Sequence, residues 1–228
     1  MNWVDDVRAA LAAVADPARV RPMQAYMKDI APFLGVATPQ RRAAVRSLGF
    51  PSNDEVASVA CELWQLPERE YAYVAVDWLD HAALKGGSTS LLDTVDELAR
   101  TKSWWDTVDG LAGVTANLVA KHPVLVPDME RWITDDNMWI ARIALLHQLG
   151  LKGATDTERL FRFCLAQAPS REFFLRKAIG WALRDYAWHD PAAISAFVDE
   201  HRRTLSALSI REATKNVEKA TARFSTDA

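Results

Sequence analysis

The stretch PEREYAYVAVDWLDHAAL, residues 67–84, decides the fold. Its centre, YAYVAVDWL (71–79), is the one part of the chain rich enough in β-branched and aromatic residues to suggest a strand. The flanking PERE and HAAL favour a buried helix instead, with Pro67 marking its start. Read that way, no convincing period-two strand remains anywhere. VRAALAAV, VASVACELWQL, LLDTVDELA, IARIALLHQLGL, RLFRFCLAQA and AAISAFVDEHRRTL all repeat their apolar residues at three and four.

Punctuation supports the helical reading. Thr38-Pro39, Ser103 with Asp106 three residues on, and Asp190-Pro191 look like helix starts. Gly49, Lys85-Gly86-Gly87, Gly150 and Lys152-Gly153 look like stops. The expected fold is all-α, with about a dozen helices of roughly ten to twenty residues paired every 30 to 40 or so. Such pairs stack as HEAT-like repeats into a curved solenoid, with an irregular bundle as the alternative. No Gly-, Ser- or Pro-rich linker divides the chain, so we expect one domain over 1–228, with capping helices in 1–25 and a frayed tail at 224–228.

The 228 residues are half hydrophobic and carry a net charge of −3. Residues 1–100 hold 10 Lys and Arg against 14 Asp and Glu; residues 101–228 hold 17 against 16. That distribution does not prove a basic face, although a local patch can still meet DNA. No run reaches the roughly 20 apolar residues that span a bilayer. Asp5 and Asp6 stand where a secretory signal would be basic. Cys61 and Cys164 lie in apolar helical patterns, as small hydrophobes rather than a disulfide. The histidines at 81, 122, 147, 189 and 201 show no zinc spacing. A cytoplasmic protein without a metal is expected.

Three clusters could carry chemistry. In TKSWWDTVD (101–109), Trp105 and Asp109 are four apart and share a helical face. Asp106 suits a cap beside the positive end of the helix dipole. Asp109 falls mid-helix amid Val108, Leu111 and Val114, where an acid must be solvated in a cleft or paired; a structural ion pair is the plainer explanation. In DNMWIARIALLHQ (136–148), Trp139 and Arg142 share a face. An arginine beside an exposed aromatic suits phosphate, and an Arg–Asp pair suits it equally. In REFFLRKAIGWALRDYAWHD (171–190), Lys177, Trp181 and Arg184 form a stripe of alternating basic and aromatic groups. That is a nucleic-acid signature, or ordinary packing with snorkelling stems. Gly180 could let another helix approach closely. Tyr26 and Lys28 precede a loop, and Arg211, Lys215 and Lys219 line one stripe, although a solvated face is its commoner explanation.

YMKDIAPFLGVATPQRR, TKSWWDTVD, DNMWIARIALLHQ, REFFLRKAIGWALRDYA and LSIREATKNV, in that order from Tyr26 to about Lys215, resemble the AlkD-type DNA alkylation repair family. The resemblance implies a bacterial N-alkylpurine DNA glycosylase built from HEAT-like repeats. It implies Asp109 as the catalytic aspartate, Trp105 and Trp181 as aromatics flanking the damaged nucleotide, and Arg142 as an arginine supporting DNA binding and catalysis. It implies Tyr26 facing DNA. Lys28, Lys177, Arg184, Arg211 and Lys215 are the further candidate DNA contacts. The implied reaction is hydrolytic removal of 3-methyladenine or 7-methylguanine from double-stranded DNA by a monomer, with the lesion left stacked and with no cofactor, metal or lyase lysine. The place of action would be the bacterial cytoplasm, at the nucleoid. The net charge of −3 departs from the more basic balance the family suggests. Two other readings stay open: a non-catalytic module binding branched or damaged DNA, and a repeat protein that bridges other proteins.

Overall fold

The computed structural model describes residues 2–226. Among them the secondary structure is helical throughout, with three one-turn 3₁₀ segments and no strand. The helices gather into two compact units, Met1–Thr101 and Lys102–Ala228.

The first unit holds α1 (Trp3–Ala12), α2 (Pro17–Tyr26), α3 (Thr38–Val45), α4 (Val56–Gln65), α5 (Arg69–Leu84) and α6 (Leu91–Arg100). The strand-like segment is the middle of α5. Tyr71, Val74, Ala75, Trp78, Leu79 and Ala82 are buried, which is the three-and-four rhythm of one helical face. The preceding PERE does more than start the helix. Glu70 is fully buried, and its carboxylate accepts from the backbone N–H groups of Leu34, Gly35 and Val36 at 3.0, 2.9 and 3.0 Å. Three charge-assisted bonds offset the cost of burying that acid and tie the loop after α2 to α5. Gly35 is obligatory there: its φ is +84°, and a Cβ would stand 2.1 Å from the Asp16 carbonyl oxygen.

The second unit holds α7 (Trp105–Lys121), α8 (Val126–Trp132), α9 (Met138–Leu146), α10 (Thr157–Gln167), α11 (Phe173–Tyr186), α12 (Pro191–Glu200), α13 (Ala207–Thr214) and α14 (Val217–Thr226). Helix α7 packs on α9, α9 on α11 and α11 on α13, while α8, α10 and α12 back them. The front helices begin at Trp105, Met138, Phe173 and Ala207, a repeat of 33 to 35 residues. This is the two-layer packing of helical repeats, where each layer buries its apolar face against its neighbours.

Three of the glycine stops behave as expected, since Gly49, Gly86 and Gly150 have left-handed φ, near +80°; Lys152-Gly153 instead lies inside a one-turn 3₁₀ segment, Lys152–Ala154, with the left-handed φ on Lys152. Asp190 caps α12 by accepting from Ala193 N at 2.9 Å. Two starts differ. Helix α3 opens on Thr38 itself, with Ala37 at the N-cap and no side-chain cap bond. Helix α7 opens at Trp105, with Trp104 rather than Ser103 at the N-cap, because Lys102 turns the chain through φ 49° just before. Helix α14 runs to Thr226, into the stretch expected to fray; Asp227 and Ala228 lie outside the described residues. Cys164 is buried and Cys61 partly so, and burial raises both thiol pKa values, which leaves two unreactive hydrophobes. No described helix is long and apolar enough to cross a membrane.

Candidate functional site

The repeats of the second unit bring residues one repeat apart face to face. Asp109, in the second turn of α7, meets Arg142 from α9. Arg142 Nε donates to Oδ1 at 2.7 Å and Nη2 to Oδ2 at 2.9 Å, a bidentate fork. Its remaining terminal nitrogen, Nη1, donates to the Phe174 carbonyl at the start of α11 at 2.5 Å. The arginine side chain is 1% exposed and the aspartate 24%. So the cation is sealed in, while the outer edge of the carboxylate reaches solvent.

This geometry decides between the two sequence readings of Arg142: the guanidinium is spent on Asp109 and a carbonyl, not turned outward to phosphate. Nor is its neighbour Trp139 the exposed aromatic anticipated; that indole is buried against Phe174, with ring centroids 5.0 Å apart. Trp104 completes an aromatic trio, 5.2 Å from Phe174 and 6.0 Å from Trp139. Phe174 brings the trio up to the ion pair, its ring 6.0 Å from Arg142 Cζ, and helps keep water from the arginine, which strengthens the pairing.

Trp181, on α11, stands next to the guanidinium. Its ring centroid is 5.4 Å from Arg142 Cζ, 5.3 Å from Lys177 Nζ and 5.8 Å from Arg184 Cζ. Three of the protein's own cations therefore lie on the indole expected to receive a cationic base. Arg184 also pairs with Glu212 at 3.0 Å, and Lys215 shares that acid at 2.8 Å. The hydrogen bond from Lys215 holds the Glu212 carboxyl below its usual range. Lys177 has no carboxylate partner among the described residues, and neither does exposed Arg211. A cavity of about 170 Å³ adjoins the indole, lined by Leu149, Arg184, Asp185 and Trp188.

Thus Asp109, Arg142, Trp181, Lys177, Arg184 and Lys215 form one connected array. Trp105 sits one turn before Asp109, partly exposed. Arg211 lies beside Glu212 on α13 but outside the array. Tyr26 and Lys28 belong to the first unit. Tyr26 ends α2 with 70% of its surface exposed, and Lys28 follows in a left-handed conformation, φ 62°.

Sequence reasoning missed Glu212 and Phe174. The signal for Glu212 was its spacing of three from Lys215 on a helix that also has to approach Gly180. That approach is real: a Cβ on Gly180 would lie 2.4 Å from Glu212 Cβ and 2.9 Å from the Ser209 carbonyl oxygen. Nothing marked the Phe174 carbonyl, because a backbone acceptor has no sequence signature. Among the described residues, no group of three or more His, Cys, Asp or Glu side chains could hold a metal ion.

Chemically, the array offers a fixed carboxylate edge, indoles beside it and loosely held cations within reach. It suits a partner that is anionic outside and turns cationic at one point.

No curated protein matches the chain. Among solved structures, a protein of Enterococcus faecalis described as a predicted DNA alkylation repair enzyme superposes with a TM-score of 0.81 at 30% identity, over 88% of this chain and 95% of that one. Residues 7–217 match the family described as DNA alkylation repair enzyme, and this chain belongs to that family.

Proposed function

We propose that the protein hydrolyses the N-glycosidic bond of N3- and N7-alkylated purines in double-stranded DNA, with Asp109 as the catalytic carboxylate. The observation that carries this reading is the half-open Asp109: one edge is gripped by sealed Arg142 and the other is free to meet a ligand.

The alkylated purine carries a formal positive charge. When the bond to C1′ breaks, its electron pair stays with the purine and neutralises it, so little acid catalysis is needed. The positive charge passes to the sugar, as in glycoside hydrolysis. Asp109 sits opposite that charge and orients the water whose oxygen bonds to C1′, taking up its proton. Arg142 is a positioning residue: it fixes both carboxylate oxygens while leaving each a lone pair. Trp105 and Trp181 flank the sugar and lesion, each contact worth roughly 0.5–2 kcal/mol. Arg142 and Arg184 stay on Trp181, each held by a carboxylate, while phosphates draw off Lys177, which none holds, and so open the part of the indole that Lys177 covers. Lys177, Arg184, Arg211 and Lys215 are the phosphate contacts of the second unit, and Tyr26 and Lys28 are the first unit's own candidate DNA contacts.

The test is release of free 3-methyladenine or 7-methylguanine from N-methylated duplex DNA. Release above the spontaneous rate at high protein concentration supports the reading; none sinks it. The bidentate pairing itself favours one other reading, in which Asp109 only braces two repeats and the protein binds damaged DNA without cutting. Tight, salt-sensitive binding without base release would select that alternative.

A further inference from the structure

The first unit contains a cavity that the excision chemistry does not use. It measures about 400 Å³ and lies between α3 and α5. Small-molecule sites run from roughly 300 to 1,000 Å³.

Its wall is an aromatic platform. Phe50 stacks on His81 with ring centroids 3.5 Å apart and planes 8° from parallel. Phe50 keeps 50% of its surface exposed, and Leu84 beside it 51%. Below them Trp78 is buried and braced edge-on by Trp3 at 5.4 Å, so the floor is rigid. Gly49, at φ 79° and with open space where a Cβ would go, makes the turn that immediately precedes Phe50. An aromatic ring left half bare on a rigid support is a surface made to be covered.

The rim is charged. Asp77 is held by Arg41 and Arg42, and Asp80 lies nearby. Arg42 keeps 63% of its side chain exposed. Arg46 has no acidic partner among the described residues. Arg41 is buried outside the lining, so the lining arginines Arg42 and Arg46 balance Asp77 and Asp80, and the positive charge offered to an occupant is the local one of Arg46. The fitting occupant is flat, aromatic and singly negative. One nucleotide within a DNA strand meets that description, with a stacking base and one phosphodiester charge. Its ring face must be free, which a paired and stacked duplex does not allow.

We propose that this cavity binds one unpaired nucleotide of a single DNA strand, with the base on Phe50 and its phosphate on Arg46. The site is independent of the excision reading, and its test does not use base release.

The experiment is fluorescence anisotropy with a labelled single-stranded oligonucleotide and with the matching blunt duplex. Phe50→Ala and Arg46→Gln each weaken single-strand binding about tenfold, within the range of one lost stacking or phosphate contact. Phe50→Tyr retains it, because the ring stays. Duplex affinity is unchanged in all three. Both positions are exposed, and thermal melts confirm that the fold persists. Equal single-strand affinity in parent and variants overturns the proposal. So does an equal loss on both DNA forms, which would mean general backbone attraction. A small aromatic acid, indole-3-acetate, provides the last arm. If it saturates the cavity without displacing the strand, the site belongs to aromatic acids and the proposal fails.

Discussion

Two Asp–Arg braces, one in each unit, use the same groups to different ends. In the first unit Asp77 receives three N–H donors: Arg41 Nη2 at 3.0 Å, Arg42 Nε at 3.3 Å and Arg42 Nη2 at 2.9 Å. In the second, Asp109 receives two, both from Arg142. The two carboxylates are nearly equally exposed, at 22% and 24%. What separates them is saturation. Asp77 is over-neutralised by two cations, whereas Asp109 is matched by one that is sealed from water and shared with a carbonyl. A carboxylate with spare lone pairs beside a rigid cation can stabilise a charge that appears later, and a crowded one cannot. Exposure alone would not have told them apart.

The widest gap should appear in catalysis. Asp109→Asn is expected to slow single-turnover base release by about a hundredfold or more, the scale of losing one preorganised electrostatic partner. Asp77→Asn should change it by less than about threefold. Equal losses would erase the distinction between the braces.

Stability should separate the arginines next. Arg142→Met strands a carboxylate and empties a buried site, costing roughly 2–4 kcal/mol in urea unfolding, somewhat below a fully buried pair. Arg42→Met should cost under about 1 kcal/mol, as exposed pairs do. A cheap Arg142→Met would mean that the second brace is ornamental.

Acid should then weaken the second unit. His147 is buried, and burial drives its pKa from 6.5 down to about 4, with Arg159 lowering it further against Glu130 and Asp156. The folded state resists a proton that the unfolded chain accepts below pH 6.5. Stability is therefore intact above that pH and falls as pH drops towards 4. Between pH 7 and 5 the loss is about 2 kcal/mol, read from denaturant midpoints. His147→Phe should remove most of that slope.

Two glycines should shift stability in opposite directions. Gly180→Ala should push α13 off α11 and loosen Glu212 from Arg184, costing about 1–3 kcal/mol by overpacking. Gly113→Ala, in open space on α7, should gain up to about 1 kcal/mol. Thermal melts of the two variants would show opposite shifts.

Much of this was legible in the chain. The three-and-four rhythm of Tyr71, Val74, Ala75 and Trp78 gave α5, although its composition looked strand-like. Gly49, Gly86 and Gly150 ended helices where they stand. Trp105 and Asp109 could be placed on one face by counting. Spacing also singled out Arg142 and Trp181, and it left open whether the arginine meets phosphate or an acid.

Local spacing determines helices, because a helix is stabilised by bonds and contacts within four residues. That is how the sequence by itself determined an all-helical chain with its stops and its repeat length. Only tertiary structure decided that Arg142 turns inward to Asp109 and that Glu212 reaches Arg184. These contacts join residues about thirty apart. They depend on how far each helix is rotated against the next, and that rotation is set by packing, as at Gly180, which no periodicity encodes.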